Sequence, residues 1–216
     1  MSKGLTDIAG IKVGHASDYH GLTGCTVILC EQGAVAGVDV RGSASGNEEF
    51  EVMNPLHVTP HVHAVTFAGG SAFGLEAASG VRRFLEKKKV GFPTGAAVVP
   101  LVPCAILFDL AIGSASARPG REMGEEAAAA ATDAAVVEGC VGAGTGATVG
   151  KVLGIRHAMK SGIGTATVWL DGDLAGVRVS ALAAVNALGD IRDPENGQLV
   201  AGARVSPESD DLADAC

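Results

Sequence analysis

Two residues stand out for what surrounds them. Lys151 is an isolated cation at the end of the glycine-rich apolar stretch VGAGTGATVGK. A desolvated ammonium there could move a proton or hold a developing negative charge. A lysine snorkelling to solvent fits the same letters. Asn186 closes a long apolar run in AAVNALG. Its amide can cap a strand end or donate its N–H₂ to an oxyanion, and if buried it requires a partner. Gly69, Gly70 and Ser71 lead into a helical pattern, where free backbone N–H groups bind an anion, although the same trio also makes a tight strand-to-helix turn. His57, His61 and His63 form an H-x3-H-x-H group, and on a strand His61 and His63 would share a side as zinc ligands do. Pro60 interrupts that strand and no Cys, Asp or Glu joins the group, so no metal is expected. Residues 142–147, GAGTGA, match a loose dinucleotide loop in the wrong context. An Ala-rich helix precedes the loop, and Gly150 and Gly154 break any helix after it. No cofactor is expected. No Ser-His-Asp order and no Cys-His pair completes a catalytic centre.

The elements that must position these groups are short and apolar. The chain has 216 residues, 47% hydrophobic and 19% charged, enough for one sizeable core and too apolar for disorder. Its 31 glycines are about twice the usual ~7% usage, show no collagen-like period, and read as turns and close backbone approaches. Strand-like runs occur at 11–15, 25–30, 35–40, 63–67, 96–102, 106–110, 165–170 and 177–185. One helix is expected from Ser71, as N-cap, to about Lys89, with Leu75, Ala78, Val81, Phe84 and Leu85 on one stripe. A second, Ala-rich helix is expected over 122–137, with Gly139 beyond its end. The pattern predicts one mixed α/β domain over 1–216, with 190–216 a polar surface segment or mobile tail. A net charge of −8 and the lack of a basic stripe exclude a nucleic-acid partner. No apolar run reaches ~18 residues, which argues against a membrane span. The five cysteines (25, 30, 104, 140, 216) are odd in number, lie mostly in apolar runs and form no CxxC. They read as buried free thiols of a reducing, cytoplasmic compartment.

Taken in order, the motifs carry a resemblance. The chain is similar to the L-aminopeptidase/D-amidase (DmpA-type) hydrolases, a family that includes β-peptidyl aminopeptidases and nylon-oligomer hydrolase. The likeness rests on Thr6-Asp7-Ile8, Lys12-Val13-Gly14-His15, Asp39-Val40-Arg41-Gly42 and Gly69-Gly70-Ser71-Ala72-Phe73-Gly74-Leu75. It continues through residues 105–110, 144–151, 162–165 and 184–189. The resemblance implies an αββα sandwich like that of N-terminal-nucleophile hydrolases, with its own connectivity. It implies a precursor that cuts itself into a large α and a small β chain, whose new N-terminal Ser or Thr attacks the amide. In that frame Asn186 takes the oxyanion position and Lys151 matches a lysine near the nucleophile. Gly70, Ser71 and Phe108 fall at the substrate, Phe108 where some members carry Tyr. The nucleophile is expected beyond Cys216, this polypeptide alone is expected to be inert, and αβ protomers are expected to form a homo-oligomer acting on a small amide or peptide. Acyl transfer of the ornithine acetyltransferase type, or binding without catalysis, are the other functions the fold allows.

Overall fold

The structure, a computed structural model, describes residues 2–215. β1 (Lys12–Asp18) and β2 (Thr23–Ala34) pair antiparallel from Lys12↔Leu29 to Asp18↔Thr23. After β3 (Asn47–Glu48), β4 (Val62–Ala68) adds antiparallel to the other edge of β2. Then come α1 (Glu76–Lys87) and the β5–β6 hairpin (Phe92–Pro93, Val98–Val99). β7 (Cys104–Ile106) returns parallel to β4, giving one five-stranded sheet in the order β1-β2-β4-β7-β3. α2 (Arg121–Ala129) follows. The remaining strands make three small pairs: β8 (Thr148–Val149) with β9 (Met159–Lys160), β10 (Ile163–Trp169) with β11 (Arg178–Ala184), and β12 (Ile191–Arg192) with β13 (Leu199–Ala201).

Alternation along the strands sorts their side chains between two layers. Cys25, Val27 and Leu29 of β2 and Ala64 and Ala68 of β4 pack with Ala77, Ala78, Val81 and Leu85 of α1 and Ala127 and Ala128 of α2. Phe67, on the other face of β4, packs with Leu107, Ala143, Ala147, Ile163, Leu182 and Ala184. The helices therefore cover one face of the sheet. The β10–β11 hairpin and the 141–149 segment cover the other. The two helices meet through glycine: a Cβ on Gly80 would stand 1.8 Å from the Arg121 carbonyl, and one on Gly124 1.9 Å from that of Ala77. Among the described residues no helix is long and apolar enough to cross a membrane.

Several sequence expectations shift. Residues 35–40 form no strand. Of the 96–102 run only Val98–Val99 enters a strand, and of the 106–110 run only Ile106, the last residue of β7. Ser71 is not a side-chain cap: it sits at φ +54° after left-handed Gly70, opening a 3₁₀ turn (Ser71–Leu75) before α1. The Ala-rich helix stops at Ala129 rather than near Val137, and Thr132 exchanges two backbone hydrogen bonds with Val13 (3.0 and 3.1 Å). Pairing with the free edge of β1 outweighs helix propensity, which amounts to only tenths of a kcal/mol per residue. Cys25, Cys30 and Cys104 are buried, whereas Cys140 is exposed and corrects the buried-thiol reading; Cys216 lies outside the described residues. Burial pushes the Cys25 and Cys104 thiols up to about 12, so both stay protonated. Residues 190–215 carry the β12–β13 hairpin and fold back on the body, with Ala203 N–H on Asp190 Oδ1 and Arg204 N–H on the His157 carbonyl.

Candidate active site

Lys151 and Asn186, far apart in sequence, are brought together by backbone pairing. The chain leaving β8 runs beside the chain leaving β11: Gly150 N–H donates to Gly189 O at 2.9 Å and Lys151 N–H to Leu188 O at 2.7 Å. Gly150 is needed there. It lies at φ +68°, and a Cβ would sit 2.0 Å from the Ala203 nitrogen. The Asn186 side chain then bridges three segments. Its Oδ1 accepts from Thr148 N–H (3.1 Å) and from Lys151 Nζ (2.9 Å), and its Nδ2 donates to the Phe108 carbonyl (2.9 Å). Network partners on both ends fix which end of the amide is nitrogen. One Nδ2 hydrogen is engaged by Phe108, which leaves the second to point elsewhere.

Lys151 Nζ also donates to the Thr148 carbonyl (2.7 Å), the Thr148 hydroxyl (3.2 Å) and the Asn186 carbonyl (3.1 Å). An ammonium with three hydrogens among four acceptors is held, not snorkelling. Desolvation lowers its pKa from the ordinary lysine value.

Asn186 and Phe108 stand on the wall of an open cleft of about 520 Å³, otherwise lined by Ala44, Phe67, Ile106, Leu107 and Ala184 among others. Phe108 is 54% exposed, so its ring is available to a ligand. Gly70 and Ser71 reach the site only from behind. Gly70 N–H donates to Asp109 Oδ1 at 2.6 Å, Ser71 N–H to the Leu107 carbonyl at 3.0 Å and Gly69 N–H to Gly24 O at 2.9 Å. The trio's backbone donors are thus engaged inside the chain, and the anion-cradle reading of this turn is corrected to a structural one.

The histidines do not converge. His57 Nδ1 meets the Thr59 hydroxyl at 2.6 Å, and His63 Nδ1 accepts from Leu101 N–H. Among the described residues no three His, Cys, Asp or Glu side chains gather as metal ligands. Sequence reasoning missed two members of the site: Thr148, which receives Lys151, and Asp109, a carboxylate only 4% exposed. A single acid inside the apolar run ILFDL was the available signal for Asp109.

The model of peptidase family S58 matches residues 3–212. The chain belongs to peptidase family S58. An uncharacterised aminopeptidase of Mycobacterium leprae is 41% identical over 211 residues, covering 89% of this chain and 55% of that protein. The 6-aminohexanoate-oligomer endohydrolase of a Kocuria species is 35% identical over 88% of this chain and 50% of its own length. The chain thus spans about half the length of the curated relatives it matches. Among solved structures, a Burkholderia β-aminopeptidase superposes with a TM-score of 0.63 at 25% identity, covering 85% of this chain and 52% of that one. An L-aminopeptidase D-Ala-esterase/amidase from Ochrobactrum anthropi, described as a variant of the Ntn hydrolase fold, superposes with a TM-score of 0.68 at 17% identity, covering 85% and 53%. That fold is the one this S58 chain adopts, with the helix layer, main sheet and hairpin described above.

Proposed function

We propose that this S58 chain is the large part of a self-cleaving amide hydrolase, an aminopeptidase or amidase whose N-terminal Ser or Thr nucleophile belongs to a small β chain. The observation that carries the reading is the Asn186 amide. It is fixed at both ends on the rim of an apolar cleft, with an ammonium against its oxygen and one N–H left to donate. An amide polarised in this way and held rigid is suited to stabilise the oxyanion of acyl transfer, because no reorganisation is needed as charge develops.

Two further features support a missing counterpart. The relatives are roughly twice as long as the matched region. In the β10–β11 hairpin the pairs Ala166/Ala181 and Val168/Val179 present an exposed, wholly apolar face, and a two-stranded hairpin is marginal without a covering layer. The cleft lining carries no charged side chain, which suits the uncharged acyl portion of a small amide or peptide.

The test is to express the full gene product, follow its intact mass, and sequence the N-terminus of any smaller fragment. Two fragments, the smaller opening on Ser or Thr, together with release of amine from short peptide amides, are expected. A single uncut species without amidase activity refutes the proposal.

A further inference from the structure

Asp109 sits directly behind the cleft wall, one residue beyond Phe108. Among the described residues it is the only carboxylate classed as buried. Its two oxygens accept from separate segments: Oδ1 from Gly70 N–H at 2.6 Å, and Oδ2 from the Thr23 hydroxyl at the start of β2 at 2.7 Å. Both bonds are short, as charge-assisted ones are. The room for it is made by glycine. A Cβ on Gly69 would stand 2.0 Å from Oδ2, and one on Gly146 2.4 Å from the same atom. Lys160 Nζ donates to the carbonyls of Thr145 and Ala147, on either side of Gly146.

The carboxylate is therefore wedged between the two backbones that hold the Asn186 side chain. On one side, residues 107–109 present the Phe108 carbonyl to Asn186 Nδ2. On the other, Gly146 leads within two residues to Thr148, whose N–H meets Asn186 Oδ1 and whose carbonyl and hydroxyl hold Lys151. Accordingly, we infer that Asp109 is a positioning residue of the reaction: by fixing both anchors of the Asn186 side chain, it sets the direction in which the free N–H points. The inference rests on the reading of Asn186 as oxyanion donor. Asp109 lines no part of the cleft.

Substitutions separate this role from plain stability. In Asp109→Asn the amide oxygen can still accept from Gly70 N–H while its N–H₂ donates to the Thr23 oxygen, so both bonds survive without the charge. Asp109→Ala removes both. In the processed full-length enzyme, with kcat expressed per titrated active site, Asp109→Ala should lose about 30- to 100-fold in kcat with KM nearly unchanged, the order expected for a misplacement of ~1 Å. Asp109→Asn should stay within about threefold. Because Asp109 acts through Asn186, adding Asp109→Ala to Asn186→Ala should cost less than about threefold more.

Asp109→Ala within threefold of the parent, while Asn186→Ala is crippled, overturns the inference and leaves the site reading standing. So do losses that multiply in the double variant, or an Asp109→Asn enzyme as slow as Asp109→Ala. Asn186→Ala at parental kcat removes the site reading, and the inference with it. If Asp109→Ala fails to mature, Thr23→Val takes its place by deleting one of the two donors. It should lose about three- to tenfold in kcat, with the loss vanishing in the Asn186→Ala background; a Thr23→Val enzyme at parental kcat overturns the inference.

Discussion

Lys151→Met removes a charge while keeping an unbranched side chain one atom shorter, and the structure sets the size and pH dependence of its effect. The ammonium stands 2.9 Å from Asn186 Oδ1, where it draws electron density through the amide and makes the free N–H a stronger donor. A hydrogen bond to a charged group contributes about 1.5–3 kcal/mol net. If half to all of that is felt only as the oxyanion forms, kcat falls by roughly 4- to 160-fold. All three ammonium hydrogens have acceptors among Thr148 and Asn186, so the geometry favours a fixed charge over a proton shuttle. The sign with pH follows. Desolvation puts the folded pKa of Lys151 below the ordinary lysine value. As pH rises toward and through that lowered pKa, the charge and its benefit are lost, so parental kcat should decline on the alkaline side while Lys151→Met stays flat there. The same shift acts on stability: the unfolded chain holds more protons than the folded one between the lowered and ordinary pKa, so this group's cost to folding shrinks as pH rises across that window. The assay is kcat against pH for fully processed enzyme on a short peptide amide. A Lys151→Met defect equally large on both sides of the lysine's lowered pKa would mean that the charge is not its origin, and turnover within threefold of the parent at every pH would refute the polarisation argument.

Asn186→Asp should be nearly as slow as Asn186→Ala, about 10²–10³ below the parent in kcat with little change in KM, because the carboxylate keeps Lys151 but has nothing to donate; steady-state kinetics on processed enzyme check this. Gly124→Ala should lower the melting temperature, since a Cβ placed 1.9 Å from the Ala77 carbonyl costs about 1–3 kcal/mol of overpacking against ~1 kcal/mol gained in helix propensity. A polypeptide of residues 1–216 alone should self-associate through the exposed Val168/Val179 face, which sedimentation velocity would reveal, and a cooperatively folded monomer counts against the two-part reading. Burial lowers the pKa of His15 below its ordinary 6.5, so the unfolded chain binds that proton first as pH falls below 6.5. Part of the acid loss of stability from there downward should disappear in His15→Gln, read as melting temperature against pH.

The parts of the fold legible in the sequence were those in which one local signal had no rival. Residues 25–30 and 63–67 are rich in β-branched and other apolar side chains, and they form the centre of the sheet. The 35–40 run is also valine-rich and fails, because no described strand pairs with it: Val35 is 83% exposed. The Ala-rich helix was overrun for the opposite reason, a free strand edge that captured Thr132. Ser71 looked like a cap because the Gly-Gly-Ser pattern carries no mark of where its N–H groups go. Those of Gly70 and Ser71 go to Asp109 and Leu107, more than thirty positions downstream, and that of Gly69 goes to Gly24, far upstream. Lys151 and Asn186 could be singled out as polar residues in apolar settings. Their mutual contact could not, because it depends on two irregular segments pairing after their strands have ended.

On the proposed reading of Asn186 as oxyanion donor, the placement of charge in this site follows a differential logic. Neither Lys151 nor Asp109 lines the cleft; each stands behind it, touching the groups that do. An ammonium exposed in the cleft would attract the ground-state carbonyl and any carboxylate product as readily as the transition state, which lowers KM and slows release without speeding the bond-breaking step. Placed against Asn186 Oδ1, the same charge reaches the substrate only through an aligned N–H, whose benefit grows as negative charge develops on the oxygen it faces. The carboxylate is kept out for the complementary reason. In the cleft it would repel the oxyanion. Behind Phe108 it is satisfied by Gly70 N–H and the Thr23 hydroxyl, and in the role inferred for it, it contributes rigidity. The glycines at 69, 146 and 150 are what allow backbones to come close enough for this arrangement, so much of the glycine around these motifs is accounted for by the site itself.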